Sequence, residues 1–488
     1  MIIEDESEVA EYCVWDFSGL EEFGAAHDLF VTDRGGLYLV VCSLGPYNPR
    51  TCKVEATSNS KLREQYLKDW LDLISRQPSS SYAHGHGQIL TSSRPYVIVA
   101  CSHKDFSTVS KEDADFDSIT EIWTSNWGKE MVQKYSEIFK DKLQLHPEVF
   151  VLDCRASQSF EMKALRNCLV EQHLAAAMKQ RGEVFVFSQK VLFSIPSIRI
   201  QYGRVVPAEK LKLALLDIHK PPREYQENSP DYIEKYKLAM EDVICYLHSV
   251  GEVFYWTGAE GKWVILDPQW FIQNVVGKLL ARTAHRGIIE MIEGRISRFA
   301  LETIFGCVPC NDSSAVVDLL CALKICFPLD AQASTFLVPA QLRVVPNLTE
   351  LFHSDGPYSA FSGYRVSVGD EQNGTGAALF NTDFFSHVQM HAYRKVFCAE
   401  STNIEFGQRL IRLKAKNGCT DCIVHLNKEN RWVDIWVRGT EETERTCISL
   451  CDHIVQILQE VQSEIYAGRP LSVMIVSEQQ LMESLETQ

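Results

Sequence analysis

Two short runs near the start of the chain hold the residue types that phosphate and base recognition needs. Asp16-Phe17-Ser18-Gly19 sets a carboxylate three residues ahead of a glycine. At the end of a strand, such a pair places the carboxylate near a phosphate-bound Mg²⁺. It also lets the glycine N–H approach the terminal phosphate, an approach that a Cβ would block. Ser102-His103-Lys104-Asp105 is the second run. A carboxylate there can accept from two neighbouring N–H donors, the pattern that guanine N1–H and N2–H₂ offer. A third part of such chemistry is missing. No G-x-x-x-x-G-K-[ST] occurs: Gly128-Lys129 is followed by Glu130, Gly261-Lys262 by Trp263 and Gly277-Lys278 by Leu279. None supplies the hydroxyl that holds Mg²⁺. The residue after Gly19 is Leu20, which cannot orient a water. Hydrolysis by this chain alone is therefore not expected.

Strands must deliver these residues. Tyr12-Cys13-Val14-Trp15 reads as a strand running into Asp16, and Leu37-to-Cys42 is a continuous apolar run of the kind buried on both faces of a parallel sheet. Pro95-to-Cys101 is another such run and leads into Ser102. A further strand is expected over Glu148–Asp153. Helical spacing over 62–74, 115–142 and 161–178 supplies the intervening layers, which makes a doubly wound α/β pattern. The runs Tyr12–Asp16, Leu37–Cys42 and Tyr96–Cys101 are expected to lie parallel and adjacent, with their carboxylates on one rim.

A boundary is expected near Ser194-Ile195-Pro196-Ser197. Beyond it come helices over 208–218 and 231–248, then a hairpin of Glu252–Trp256 with Lys262–Leu266. Asp267-Pro268 opens a helix, with Asp as cap and Pro at the first position. A helix over 313–326 and an edge strand Phe336–Pro339 complete a winged-helix-like module. From Asn347 the texture alternates. Strands are expected at Tyr364–Val368, Phe384–Met390, Arg409–Leu413, Cys422–Leu426 and Trp432–Arg438, with one helix from Thr443 to Tyr466. Trp432 and Trp436 have the look of surface aromatics in a sheet left partly open, although core packing is the favoured reading for Trp270 and Trp436.

The 488 residues carry a net charge of −16, which argues against nucleic acid or an anionic membrane as the main partner. No apolar run reaches the roughly 20 residues of a membrane span. Met1-Ile2-Ile3-Glu4-Asp5-Glu6 is acidic where a secretory leader is basic. The 16 cysteines fall mostly within apolar runs and read as reduced core thiols. Cys307-x-x-Cys310 and Cys419-x-x-Cys422 stand too far apart for a zinc ribbon, so no metal site is assigned to them. His84-Gly85-His86 reads as a solvated loop.

The order of these parts resembles the Roc–COR tandem of Roco proteins. The residues that carry the likeness are Trp15-to-Gly19 with Glu22-Phe23 and His27, Ser102-to-Asp105, and Leu247-to-Val253 leading to Leu266-Asp267-Pro268-Gln269-Trp270. The blocks Asn274-to-Leu280 and Val433-to-Glu441 are similar to the central region of death-associated protein kinase. The resemblance implies a multidomain chain: a partial, P-loop-lacking Roc GTPase-like α/β domain over 1–175, an α-rich winged-helix-like COR-A module over 176–345 and an α+β COR-B module over 346–488. The chain would then begin after the P-loop, first helix and first switch of a GTPase, as a middle piece without the parent family's kinase, ankyrin and death domains. It implies a remnant guanine-nucleotide site of Asp16, Gly19, Ser102, His103, Lys104 and Asp105, with Asp16 facing Mg²⁺ and weak binding of GTP or GDP. It implies a non-catalytic regulatory and scaffold role in cytoplasmic signalling and apoptosis. The partner would be a second copy through COR, or another signalling protein. Two alternatives stay open: a GTPase only when an upstream P-loop completes it, and an interaction module that binds no nucleotide.

Overall fold

The computed structural model describes residues 2–5, 8–11, 14–17, 27, 37–43, 47–48, 53–54, 60–75, 94–103, 128–179, 186–219, 240–248, 250–258, 261–281, 291, 293–305, 312–343, 348, 351, 358–368, 380, 382–396, 402–415, 418–427, 430–465 and 470–486. The chain divides into two compact units: residues 1–20 with 27–269, and residues 21–26 with 270–488.

In the first unit, β1 (Ile2–Asp5) and β2 (Glu8–Glu11) form an antiparallel hairpin. β3 (Leu37–Ser43) precedes the short antiparallel pair β4 (Tyr47–Asn48) and β5 (Lys53–Val54). β6 (Tyr96–Ser102) is the centre of a parallel sheet, with β3 on one side and β7 (Gln144–Val151) on the other. Every residue of β6 from Val97 to Cys101 is buried, because both faces are covered. Val97, Val99 and Cys101 pack on Leu67, Leu71 and Ile74 of helix Ser60–Ser75 and on Val132 and Tyr135 of helix Gly128–Ile138. Ile98 and Ala100 meet Leu165 and Cys168 of helix Phe160–Lys179 on the opposite face. The expected parallel pairing of Leu37–Cys42 with Tyr96–Cys101 is present, in register from Leu37↔Tyr96 to Ser43↔Ser102.

The expected strand Tyr12–Asp16 is corrected. Residues 14–17 have no regular structure, and Tyr12 and Cys13 lie outside the described residues. The backbone just upstream is spent on a local hairpin, with Glu11 opposite Ile2. A second correction concerns the break at Ser194–Ser197: helix Val186–Tyr202 runs straight through Pro196. Val191, Ile195 and Ile198 are all buried on one face of that helix, and this packing holds it across the missing N–H. Helix Ala208–Ile218 and a helix over 240–248 complete the same core. The expected hairpin forms from β9 (Phe254–Gly258) and β10 (Gly261–Ile265), and it gains a third strand, β8 (Val205–Pro207), on the other side of β10.

The second unit begins within a helical run, 268–280, which contains a π-helical turn at Phe271–Val276. Gly277 closes it by donating to the Ile272 carbonyl, where a Cβ would lie 2.8 Å from that oxygen. β11 (Arg295–Ser297), β12 (Phe327–Pro328) and β13 (Thr335–Leu337) make a small antiparallel sheet, next to helices Arg298–Ile304 and Asp312–Ala322. β13 is its central strand, not the edge expected from Pro339, because the proline falls beyond the ladder in the turn Pro339–Gln341.

A six-stranded sheet dominates the rest. β14 (Ala360–Val368), β15 (Thr402–Gly407), β16 (Leu410–Ala415), β17 (Thr420–Leu426), β18 (Trp432–Gly439) and β19 (Leu471–Ile475) lie in the order β15-β16-β17-β18-β14-β19, all antiparallel. Phe384–Met390 is not a strand but the middle of helix Thr382–Val396. Phe384, Val388 and Ala392 recur every fourth residue and face the sheet beside Ile454, Leu458 and Val461 of helix Glu444–Ile465. The opposite face carries Trp436, fully buried against Leu481 and Leu485 of helix Glu478–Glu486. The sheet therefore has helices on both faces. Trp436 is a core residue rather than a surface one, and the expectation of a sheet with a single helix behind it is overturned.

Candidate functional site

A parallel sheet gathers the carboxyl ends of its strands on one rim, where ligands of such folds sit. Here the rim is lined by Ser43 at the end of β3, Ser102 and His103 at the end of β6, and Asp153 just past β7. His103 leaves its strand at φ 64°, the left-handed region, which turns the chain sharply out of the sheet. Its Nδ1 lies 3.0 Å from Ser43 Oγ and 3.0 Å from Ser102 Oγ. Ser102 Oγ also reaches the Cys42 carbonyl at 3.5 Å. One proton arrangement satisfies all three contacts: Nδ1–H shared between two hydroxyl oxygens, with the Ser102 O–H turned toward Cys42.

Arg155 grips Asp153 in a fork, Nε to Oδ1 at 3.1 Å and a terminal nitrogen to Oδ2 at 3.2 Å, and the Arg155 backbone N–H adds 3.0 Å to Oδ1. These hydrogen bonds hold the Asp153 carboxyl below its usual range, and the neighbouring His103 imidazole pulls in the same direction. The rim thus joins hydroxyls, an imidazole and an ionised carboxylate with its arginine. Such a set can bind a polar ligand by hydrogen bonds.

Of the residues expected at a nucleotide site, Ser102 and His103 come together on this rim. Asp16 is exposed and lies in the segment 14–17. That segment is pinned by Phe17, edge-on to His27 at 5.7 Å and to Trp70 of helix Ser60–Ser75 at 6.1 Å. Gly19, Lys104 and Asp105 lie outside the described residues. Ser43, Asp153 and Arg155 were not singled out from the sequence. The usable signal was the polar residue at the end of each apolar run. One carboxylate is too few to hold Mg²⁺ by itself, and among the described residues no group of three or more His, Cys, Asp or Glu side chains could hold a metal ion. Among them, too, no helix is long and apolar enough to cross a membrane.

Residues 221–342 match the family model described as C-terminal of Roc, COR-A domain. Over 406 residues the chain is 20% identical to Protein TORNADO 1 of Arabidopsis thaliana, a similarity that covers 80% of this chain and 27% of that protein. The chain therefore spans about a quarter of the length of that relative. The COR-A match supports a Roco-like identification.

Proposed function

We propose that this chain is the non-catalytic regulatory and scaffold region of a Roco-type signalling protein, similar to the central part of death-associated protein kinase. In it, a remnant of a GTP-binding domain is coupled to a COR module. One observation carries the reading: Ser102 and His103 stand at the carboxyl end of the central parallel strand, upstream of a COR-A match at 221–342. Lys104 and Asp105 follow in sequence and complete the base-recognition run. The blocks Asn274-to-Leu280 and Val433-to-Glu441 support the kinase branch. A cytoplasmic location goes with this reading.

Titration of the full chain with fluorescent GDP and Mg²⁺ tests it. Weak binding is expected, with a Kd above the micromolar range, because no backbone cradle and lysine of a P-loop type are in the sequence. Asp105→Asn should weaken it further. Submicromolar binding would favour a working GTPase unit instead. A flat titration would favour an interaction module that binds no nucleotide, a reading also supported by the mutual engagement of Ser43, Ser102 and His103.

The partner reading is self-association through residues 346–488, or docking of another signalling protein there. It is supported by the edge strand β19, which presents Val473, Met474 and Ile475 outward. Light scattering on the purified chain should show a dimer at micromolar concentration. A strict monomer would leave only the heterologous partner.

A further inference from the structure

Helix Asp312–Ala322 ends in a tight reversal. Lys324 takes φ 59°, a left-handed value on a residue with a side chain. The Lys324 N–H donates to the Cys321 carbonyl at 3.1 Å and the Ile325 N–H to the Leu320 carbonyl at 3.0 Å. This is the doubled hydrogen-bond pattern of a Schellman cap, with Lys324 at the position usually given to glycine. The cap folds the chain back over its own last turn. As a result Cys326, five residues after Cys321, returns to meet it, with the two sulfurs 3.9 Å apart.

The two thiols differ. Cys326 is fully buried, while Cys321 is partly open to solvent. Donation of its S–H to Cys321, together with burial, pushes the Cys326 thiol well above the usual thiol range. Cys321 is therefore the thiol that an oxidant can reach. Closing the 3.9 Å gap to a bond of roughly 2.0 Å takes about 2 Å of sulfur movement.

We propose that Cys321 and Cys326 form a redox-active dithiol, a modification site at the cap of this helix, which a peroxide oxidises to an intramolecular disulfide. The Cys321 thiolate attacks one peroxide oxygen. The O–O bond breaks, hydroxide leaves and is protonated to water, and Cys321 becomes a sulfenic acid. Cys326 then attacks that sulfur. The S–S bond forms, the S–O bond breaks, and the Cys326 proton leaves with the hydroxyl as a second water. Two thiols are oxidised by two electrons while one peroxide is reduced to two waters.

The pair sits at a joint. Lys324, between the two cysteines, pairs with Glu464 of helix Glu444–Ile465, and Glu464 also meets His391 Nε2 at 3.4 Å. Phe327, next to Cys326, packs on Tyr393 at 5.6 Å and on Phe406 at 6.2 Å. Locking the cap would therefore bear on the contact between the small sheet and the large one.

Peptide mass analysis tests the proposal on the full chain, because trypsin cleaves after Lys324 and separates the two cysteines. After hydrogen peroxide, alkylation and non-reducing digestion, peptide 299–324 should be found linked to peptide 325–343, with fragmentation placing the link at Cys321. Dithiothreitol should undo the link. Cys307→Ser and Cys310→Ser should leave it intact, and Cys326→Ser should abolish it. The exposed Cys154 is an internal measure of oxidant dose. If Cys154 is fully oxidised and no link has formed, or if Cys321 goes on to the sulfinic acid while Cys326 still alkylates, the proposal is wrong. Both overturning results are read on the unmutated chain, so the folding of the Cys326→Ser variant does not decide the matter.

Discussion

Asp421→Ala should destabilise the second unit by on the order of 3–5 kcal/mol, the cost of leaving buried charge without its partner. The Asp421 side chain is fully buried on β17. Its Oδ1 accepts from Arg412 Nε at 3.0 Å, and its Oδ2 accepts from terminal nitrogens of Arg412 at 3.0 Å and Arg438 at 2.8 Å. Both guanidinium groups are themselves nearly shut from solvent. Arg438 has some further support from the Leu351 carbonyl at 3.2 Å and from the Tyr358 ring at 4.8 Å, and Arg412 has Glu405 at 3.7 Å. None of these replaces a carboxylate lying between the two. Urea unfolding monitored by tryptophan fluorescence should show the midpoint fall with Asp421→Ala. Asp421→Asn, which keeps one acceptor oxygen, should fall between the two. A loss under about 1 kcal/mol for the alanine variant would mean that water reaches the two arginines easily.

The second large effect is on acid stability. His387 lies on the helix Thr382–Val396, half-buried, and among the described residues its Nδ1 has no hydrogen-bond partner. Burial lowers its pKa to about 3, and the nearby Lys324 ammonium and His391 push the same way, against Glu464. An unfolded histidine takes up its proton near pH 6.5, while the folded one resists until about 3. The stabilisation is therefore complete above pH 6.5 and is lost as pH falls toward 3. The whole shift would be worth about 5 kcal/mol, and the partly open ring reduces it to roughly 2–4 kcal/mol. Two carboxylates act at lower pH. Glu464 is held at about 2, the His391 contact leading and Lys324 adding to it, against burial. Burial also raises Glu241, but hydrogen bonds from Lys262, Lys212 and Tyr255 outweigh it and hold that carboxyl at about 2. Both therefore lose stability only below about pH 4.5. The window between pH 6.5 and 4.5 reports His387 apart from them. Stability measured against pH should slope there in the native chain and slope less in His387→Phe, the remainder coming from His146 and His219, which burial also lowers. An unchanged slope in the variant would assign the acid limb to other groups.

The legible parts of the fold were those with one dominant period or continuous burial. β6 showed itself because it is apolar on both faces, and Trp432–Gly439 because its neighbours repeat the strand pattern. The helix Thr382–Val396 did not, because Phe384 and Phe385 begin a run that also suits a strand. What decides the matter is the fourth-residue spacing through Val388 to Ala392, together with the buried Gln389, whose amide donates to the Gly407 carbonyl at 2.7 Å. Pro196 and Pro339 misled in the same way. A proline marks what the backbone cannot do at one residue, and packing around Ile195 or the ladder before Pro339 fixes the rest. At the candidate site, Ser102 and His103 were visible as part of a motif. Ser43 and Asp153 belong to no motif, and only the parallel register of three strands brings them alongside. Asp16 was assigned through a strand, whereas residues 14–17 have no regular structure.

The strand order of the large sheet sets a sequence of events for a chain emerging from the ribosome. β15, β16, β17 and β18 are successive neighbours and can pair as each appears. β14 is made before all of them, yet it finds its partners only when Trp432–Gly439 and then Leu471–Ile475 have been synthesised. Until then Val366 and Val368, both buried in the finished sheet, lack the strands that flank them there. Even after β18 docks, the far edge of β14 stays an unpaired row of N–H and C=O groups. A nascent chain stalled before Leu471 would therefore hold open a template for the wrong strand, and the strand Leu471–Ile475 acts as its seal.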